Sequence, residues 1–235
     1  IYHSGLTSAL RQQYLFIIIK KESYNIIVLK LRIIVGWWMN NQSRQALWLA
    51  LAGSIVLMIG MGYGRFAFTG VLPLMLNEGL LTLHEGNLAA SANYAGYLIG
   101  ALLLARVQPG AATRLSIISA GLTIASLALL AWVSSPWTII TLRAVAGALS
   151  AITLIAGSLW LLEHMGHHHG APLLYAGVGL GIFISAEGIA LGHALSLTSQ
   201  QIWLLCALCA GLLLALAAFW PSQPTRPVET RSEAP

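Results

Sequence analysis

LWLALAGSIVLMIGMGYGRFAFTGVLPLML, residues Leu47–Leu76, decides the fold. A run this long and apolar crosses the ~30 Å hydrocarbon core of a bilayer as a helix. Its only charge is Arg65, inside Gly60-Met61-Gly62-Tyr63-Gly64-Arg65-Phe66-Ala67-Phe68-Thr69. A guanidinium at that depth is disfavoured by roughly 2.5–3.5 kcal/mol on insertion scales. A chain keeps one where it faces a partner or a water-filled cavity, so Arg65 is the first pointer to function.

The rest of the chain has the same character. Of 235 residues 57% are apolar and 8% charged, and the mean hydropathy is +0.78. Soluble domains carry about 25% charged residues. The expectation is an all-α, polytopic membrane helical bundle. Apolar runs of ~19–30 residues suit helices, whereas a barrel needs alternating strands of ~10. The formal charge of +5 does not mark a nucleic-acid surface. All three lysines (Lys20, Lys21, Lys30) precede Met39, and from Met39 onward seven arginines face six glutamates, 7 − 6 = +1. The sequence contains no Asp. Cys206 and Cys209 sit inside an apolar run and carry no information about redox compartment.

Residues 1–38 differ in composition, being rich in Ile and Lys where the remainder is rich in Ala, Leu, Gly and Trp. They are expected to be a spurious extension ahead of a start at Met39; the alternative is an interfacial helix. Lys20-Lys21-Glu22, Lys30 and Arg32 argue against a further crossing. No small-residue cleavage site follows, so the segment is not a secretory signal. Residues 39–220 form the expected six-helix transmembrane domain. Residues 221–235 are a polar, Pro-rich tail.

Six spans are predicted, at about 47–76, 87–106, 115–133, 137–162, 171–196 and 202–220. With the N-terminus inside, the inner segments hold Arg44, Arg106, Arg114, Arg226 and Arg231, and the outer loops hold no Lys or Arg. This positive-inside pattern predicts cytoplasmic termini at both ends. Spans 3 and 6 carry only small hydroxyls or cysteines and are expected to face lipid. Spans 1, 2, 4 and 5 carry Arg65, Asn93, Tyr94, Tyr97, Arg143 and Glu187, and are expected to enclose something polar.

Depth groups the charges. Arg65 lies ~16 Å from the outer end of its span, Arg143 ~9 Å and Glu187 ~13 Å, at 1.5 Å per residue. Two cations and one anion leave +1, which fits an anion site, or an ion pair with one spare arginine. The alternative is a charge pair holding helices in register. A carboxyl away from water also gains a proton more readily, which makes Glu187 a candidate proton carrier. Asn93 and Tyr97 are spaced i, i+4 and share a helix face with Tyr94 alongside. They line a substrate path or bond between helices; the sequence leaves both open.

Small residues recur four apart at Ala92/Gly96/Gly100, Gly147/Ala151, Gly177/Gly181 and Gly188/Gly192, a pattern that lets helices approach closely. The Gly60/Gly62/Gly64 run is no dinucleotide loop, because Arg65 stands where a third Gly is needed. His164, His167, His168 and His169 cluster in an inner loop, where a metal role competes with a plain polar loop. No catalytic constellation, zinc motif or phosphate loop is present, so neither enzyme activity nor a cofactor is expected.

Gly62-Tyr63-Gly64-Arg65-Phe66-Ala67-Phe68-Thr69, followed by Leu72-Pro73-Leu74-Met75, resembles the first helix of one branch of the major facilitator superfamily, the YbfB/YjiJ-type bacterial transporters. Leu142-Arg143-Ala144-Val145-Ala146-Gly147-Ala148 is similar to the superfamily's fourth-helix motif. The resemblance covers about 44–220. Two features depart from the pattern. The Asp usual between helices 2 and 3 is missing, and the fifth-helix motif keeps Gly177, Gly179 and Gly181 without its proline. The superfamily has two six-helix halves around a central cavity, and the resemblance is to the N-terminal half. It implies a secondary transporter of the bacterial inner membrane moving a small polar or anionic solute by alternating access with proton coupling. Its partners would be the lipid bilayer, the solute, and a second half or second copy. Arg65, Asn93, Tyr94 and Tyr97 would bind substrate; Arg143 and Glu187 would serve coupling. A half-length membrane module that does not transport is the alternative.

Overall fold

Thr82 and Glu85 fix where the second helix begins. The Thr82 N–H donates to Glu85 Oε2 (2.7 Å), and the Glu85 N–H donates to the Thr82 hydroxyl (3.3 Å). This capping box satisfies two orphan donors and starts the helix four residues before the expected 87. The pair His84-Glu85, which polarity alone places in a loop, is the helix's first turn.

A computed structural model describes residues 41–218. The extension 1–38, Met39, the tail 221–235, Arg226, Arg231 and the side chain of Arg44 lie outside the described residues. Every regular element among the described residues is helical. The first rod consists of α1 (Asn41–Leu57), a π-helical segment (Met58–Phe66) and α2 (Ala67–Asn77). Then come α3 (Leu83–Leu103), α4 (Ala112–Leu130) and α5 (Pro136–Ser158), the last continued by a π-helical turn, Leu159–His164. The bundle closes with α6 (Ala171–Ala194) and α7 (Ser199–Ala218).

Five helices are long and apolar enough to cross a membrane: Ala46–Asn77, Pro109–Leu130, Pro136–His164, His168–Ala194 and Ser199–Ala217. The expected sixth crossing is not among them. With 21 residues α3 is long enough. Asn87, Asn93, Tyr94, Tyr97 and three glycines dilute its apolarity.

Lipid is as apolar as leucine, so close packing rather than hydrophobic exclusion joins these helices. The π-helical segment shows how. A Cβ on Gly60 would stand 2.6 Å from Thr153 of α5, and one on Gly64 would stand 2.7 Å from Thr123 of α4. One on Gly62 would overlap the backbone of Gly181 on α6. Three alternate glycines thus let three helices touch one segment. The second tight crossing joins α3 to α5, with Gly96 against the Ala144 carbonyl and Gly147 against the Asn93 carbonyl.

The hydroxyls of α4 lie on its packed face, while Ile117, Ile118, Leu122 and Leu129 make an exposed apolar face. Ser116, Ser119, Thr123 and Ser126 are all buried, and each donates to a carbonyl of its own helix three or four residues back, at 2.8–3.1 Å. Thr153 of α5 adds a bond to the Ser119 hydroxyl (2.8 Å). A hydroxyl satisfied by its own backbone behaves as a small spacer, so it suits an interior as well as a lipid face. The inner face of α7 buries Trp203 and Cys206, and Phe68 of α2 stacks on Trp203 with ring centroids 6.4 Å apart. At the end where α2 meets α3, Glu78 accepts from the Ser199 N–H (2.8 Å) and the Ser199 hydroxyl. That acidic side chain ties the first connection to the start of α7.

Candidate functional site

The two arginines meet where the π-helical segment ends, but they do different things. Arg143 is 1% exposed. Its Nη1 donates to the Gly64 carbonyl and its Nη2 to the Arg65 carbonyl, each at 2.9 Å. Its guanidinium lies 4.5 Å from the centroid of the Phe68 ring. A buried cation is tolerated when hydrogen bonds replace its lost water, and carbonyl dipoles do that here. Nε alone stays buried without a partner. Asn93 sits behind it, donating from Nδ2 to the Arg143 carbonyl (2.9 Å). Asn93 of α3, Arg143 of α5 and the first rod therefore form one chain of bonds. Of the two roles the sequence left open for Asn93, the structure displays the interhelical bond.

Arg65 is half-buried and turned toward α3. Its guanidinium carbon lies 4.0 Å from the centroid of Tyr97 and 4.9 Å from that of Tyr94, with Phe66 at 5.7 Å. Cation–π contacts of this kind contribute about 0.5–2 kcal/mol each. Among the described residues its N–H groups donate to no acceptor, and neither arginine forms an ion pair. Arg65 is thus a positive charge beside three aromatic rings, with no acceptor for its N–H groups among the described residues.

A family model described as an uncharacterised MFS-type transporter YbfB matches residues 57–234. The chain belongs to this family. The match spans Arg65, Asn93, Tyr94, Tyr97, Arg143 and Glu187, and it bears out the resemblance carried by Gly62–Thr69. No curated protein and no solved structure matches the chain. Family and helices together make this YbfB-type chain a multi-pass membrane protein, and they point to transport rather than catalysis.

Glu187 is set apart from the arginines. It is exposed on α6, at a groove of about 440 Å³ shared with Tyr63, Phe183, Leu205, Cys206 and Cys209. It forms no ion pair among the described residues. Arg143 bonds the backbone of Arg65, whereas the sequence alone does not fix which face of its helix Glu187 occupies.

The histidine loop joins α5 to α6. Burial, then the neighbouring His169 and His168, hold the His167 pKa below the usual histidine value. No three His, Cys or Glu side chains among the described residues come together as metal ligands.

Sequence reasoning did not single out Phe66 and Phe68. They follow Arg65 in the chain, and one ring goes to each guanidinium. Aromatics one and three residues after an intramembrane arginine are the signal that was available. The Gly64 carbonyl was not identifiable as an acceptor, because backbone geometry decides it.

Proposed function

We propose that this YbfB-type chain is a secondary active transporter, moving a small polar or anionic solute across the bacterial inner membrane by alternating access. The observation that carries the reading is the Arg65 guanidinium, a cation at membrane depth whose N–H groups have no protein acceptor among the described residues. An unspent intramembrane cation is a functional group by default. In this reading Arg65 binds solute, with Tyr94 and Tyr97 supporting it and Asn93 bracing the helix that carries them. Arg143 acts as the coupling residue by holding the end of the π-helical segment, and Glu187 carries the proton.

The bundle contributes six transmembrane helices, α3 included, and works against a second six-helix half or a second copy. Exposed apolar side chains on α3 (Leu98, Ile99, Leu102) and α6 (Phe183, Ile184, Leu191) support an extensive contact surface there. Both termini lie in the cytoplasm. Arg106 and Arg114 share one end of the bundle, and the connections 78–82, 131–135 and 195–198 at the other end carry no Lys or Arg.

The test is proteoliposomes loaded with a pH-reporting dye and challenged with organic anions, neutral solutes and cations. Solute-evoked proton movement in the parent, absent with Arg65→Ala at equal insertion, is the expected result. No movement with any solute would overturn the reading.

A further inference from the structure

Arg65 recognises by its edge. A guanidinium has two flat faces and a rim of five N–H donors. The guanidinium carbon of Arg65 lies 4.0 Å from the Tyr97 ring centroid and 4.9 Å from that of Tyr94, and none of its N–H groups donates to an acceptor among the described residues. The donors left without an acceptor form a planar fork that matches a planar, bidentate acceptor. A carboxylate has that shape, whereas an ammonium or a neutral amide does not complement both its charge and its geometry.

The neighbours set the number of charges. Arg143 spends Nη1 and Nη2 on the Gly64 and Arg65 carbonyls, and Asn93 spends its amide N–H on the Arg143 carbonyl. One guanidinium is left to meet a ligand, enough for one negative charge. The second charge of a phosphate dianion would meet no second cation with its Nη groups free.

The surface beside the rim sets the body. Tyr94 is 63% exposed and Leu98, four residues on along the same face of α3, is 60% exposed. They offer an aromatic ring 4.9 Å from the guanidinium carbon and, one helical turn further along α3, a branched aliphatic side chain. We infer that Arg65, Tyr94, Tyr97 and Leu98 form a site for a monocarboxylate with an apolar or aromatic body. This rests on the transport reading for its place in a cycle, but the site's chemistry is testable without flux.

The probe is radiolabelled benzoate, measured by equilibrium dialysis against the full chain in lipid nanodiscs. Saturable binding is expected, displaced by unlabelled benzoate but not by benzamide, its neutral isostere, or by benzylammonium. Arg65→Lys, which keeps the charge and loses the fork, is expected to weaken binding about tenfold or more. The inference is overturned by absence of saturable benzoate binding, equal displacement by benzamide, tighter binding of phenylphosphonate than benzoate, or unchanged affinity in Arg65→Lys. The isostere comparison uses the parent protein alone, so a variant that fails to fold does not remove the test. Benzoate binding without benzoate counterflow in proteoliposomes would support the site and overturn the transport reading. Arg65-independent flux of benzylammonium would support transport and overturn the site.

Discussion

The Arg143 guanidinium donates to the backbone carbonyl of Arg65 at 2.9 Å, while the Arg65 side chain points away to Tyr97. Two like charges share one region, one used on backbone carbonyls and the other without an acceptor among the described residues. The division of labour follows from burial: the fully buried arginine needs internal acceptors, and the half-buried one does not.

Replacing Arg143 is therefore a stability experiment before it is a transport experiment. Charge-assisted hydrogen bonds contribute about 1.5–3 kcal/mol each. Arg143→Leu removes two and withdraws their donors from the Gly64 and Arg65 carbonyls. A marked fall in unfolding temperature in detergent is expected, with partial recovery in Arg143→Lys. An unfolding temperature equal to the parent's would show that the carbonyl clamp is not needed.

The glycines divide by what surrounds them. Gly96→Ala and Gly147→Ala place a methyl on a facing carbonyl, and Gly62→Ala places one on the Gly181 backbone. Each is expected to destabilise by about 1–3 kcal/mol, the usual range for overpacking. Gly179→Ala and Gly188→Ala meet nothing within 4 Å and are expected to be neutral or mildly stabilising in the same assay. Equal losses in both groups would show that helix propensity, not contact, governs the series.

Sequence and structure part company where face matters more than composition. Arg65 was identifiable because a permanent charge in Leu47–Leu76 has no neutral explanation. The apolar span of the first rod (Ala46–Asn77), α5 and α6 were bounded within a few residues, because long apolar runs define their own ends. The π-helical stretch at Met58–Phe66 was not identifiable, since Gly60, Gly62 and Gly64 permit it without requiring it. The buried face of α4 was hidden in the same way: Ser119 and Thr123 satisfy their own helix's carbonyls, so their hydroxyls do not announce the side they face. Glu187 was grouped with the arginines by depth, and among the described residues it forms no ion pair with either.

The α3 start carries a pH signature. The Thr82 N–H and hydroxyl hold the Glu85 carboxyl below its usual value. Its ionised form is favoured in the fold, so the stabilisation is complete above the ordinary glutamate range. It is lost as pH falls through the lowered value. Glu85→Gln is expected to flatten the acid limb of unfolding temperature against pH. An unaltered acid limb would mean that the capping box contributes nothing measurable.

His167 acts in the same direction at higher pH. Its pKa is lowered, chiefly by burial, so the neutral imidazole is favoured in the fold. Stability associated with it is present above the ordinary histidine value and falls away on acidification through the lowered one. Between about pH 7 and 5 the parent is expected to lose stability more steeply than His167→Gln. Identical slopes in the two proteins would remove His167 as a contributor.

The most direct measurement compares the parent with Arg65→Lys in dye-loaded proteoliposomes, with unfolding temperatures recorded on the same preparations. Lysine keeps a cation facing Tyr94 and Tyr97 but cannot present a planar fork. The predicted result is similar unfolding temperatures and a solute-evoked flux reduced about tenfold or more in Arg65→Lys. Equal flux from the two proteins would contradict the placement of Arg65 at the centre of the site.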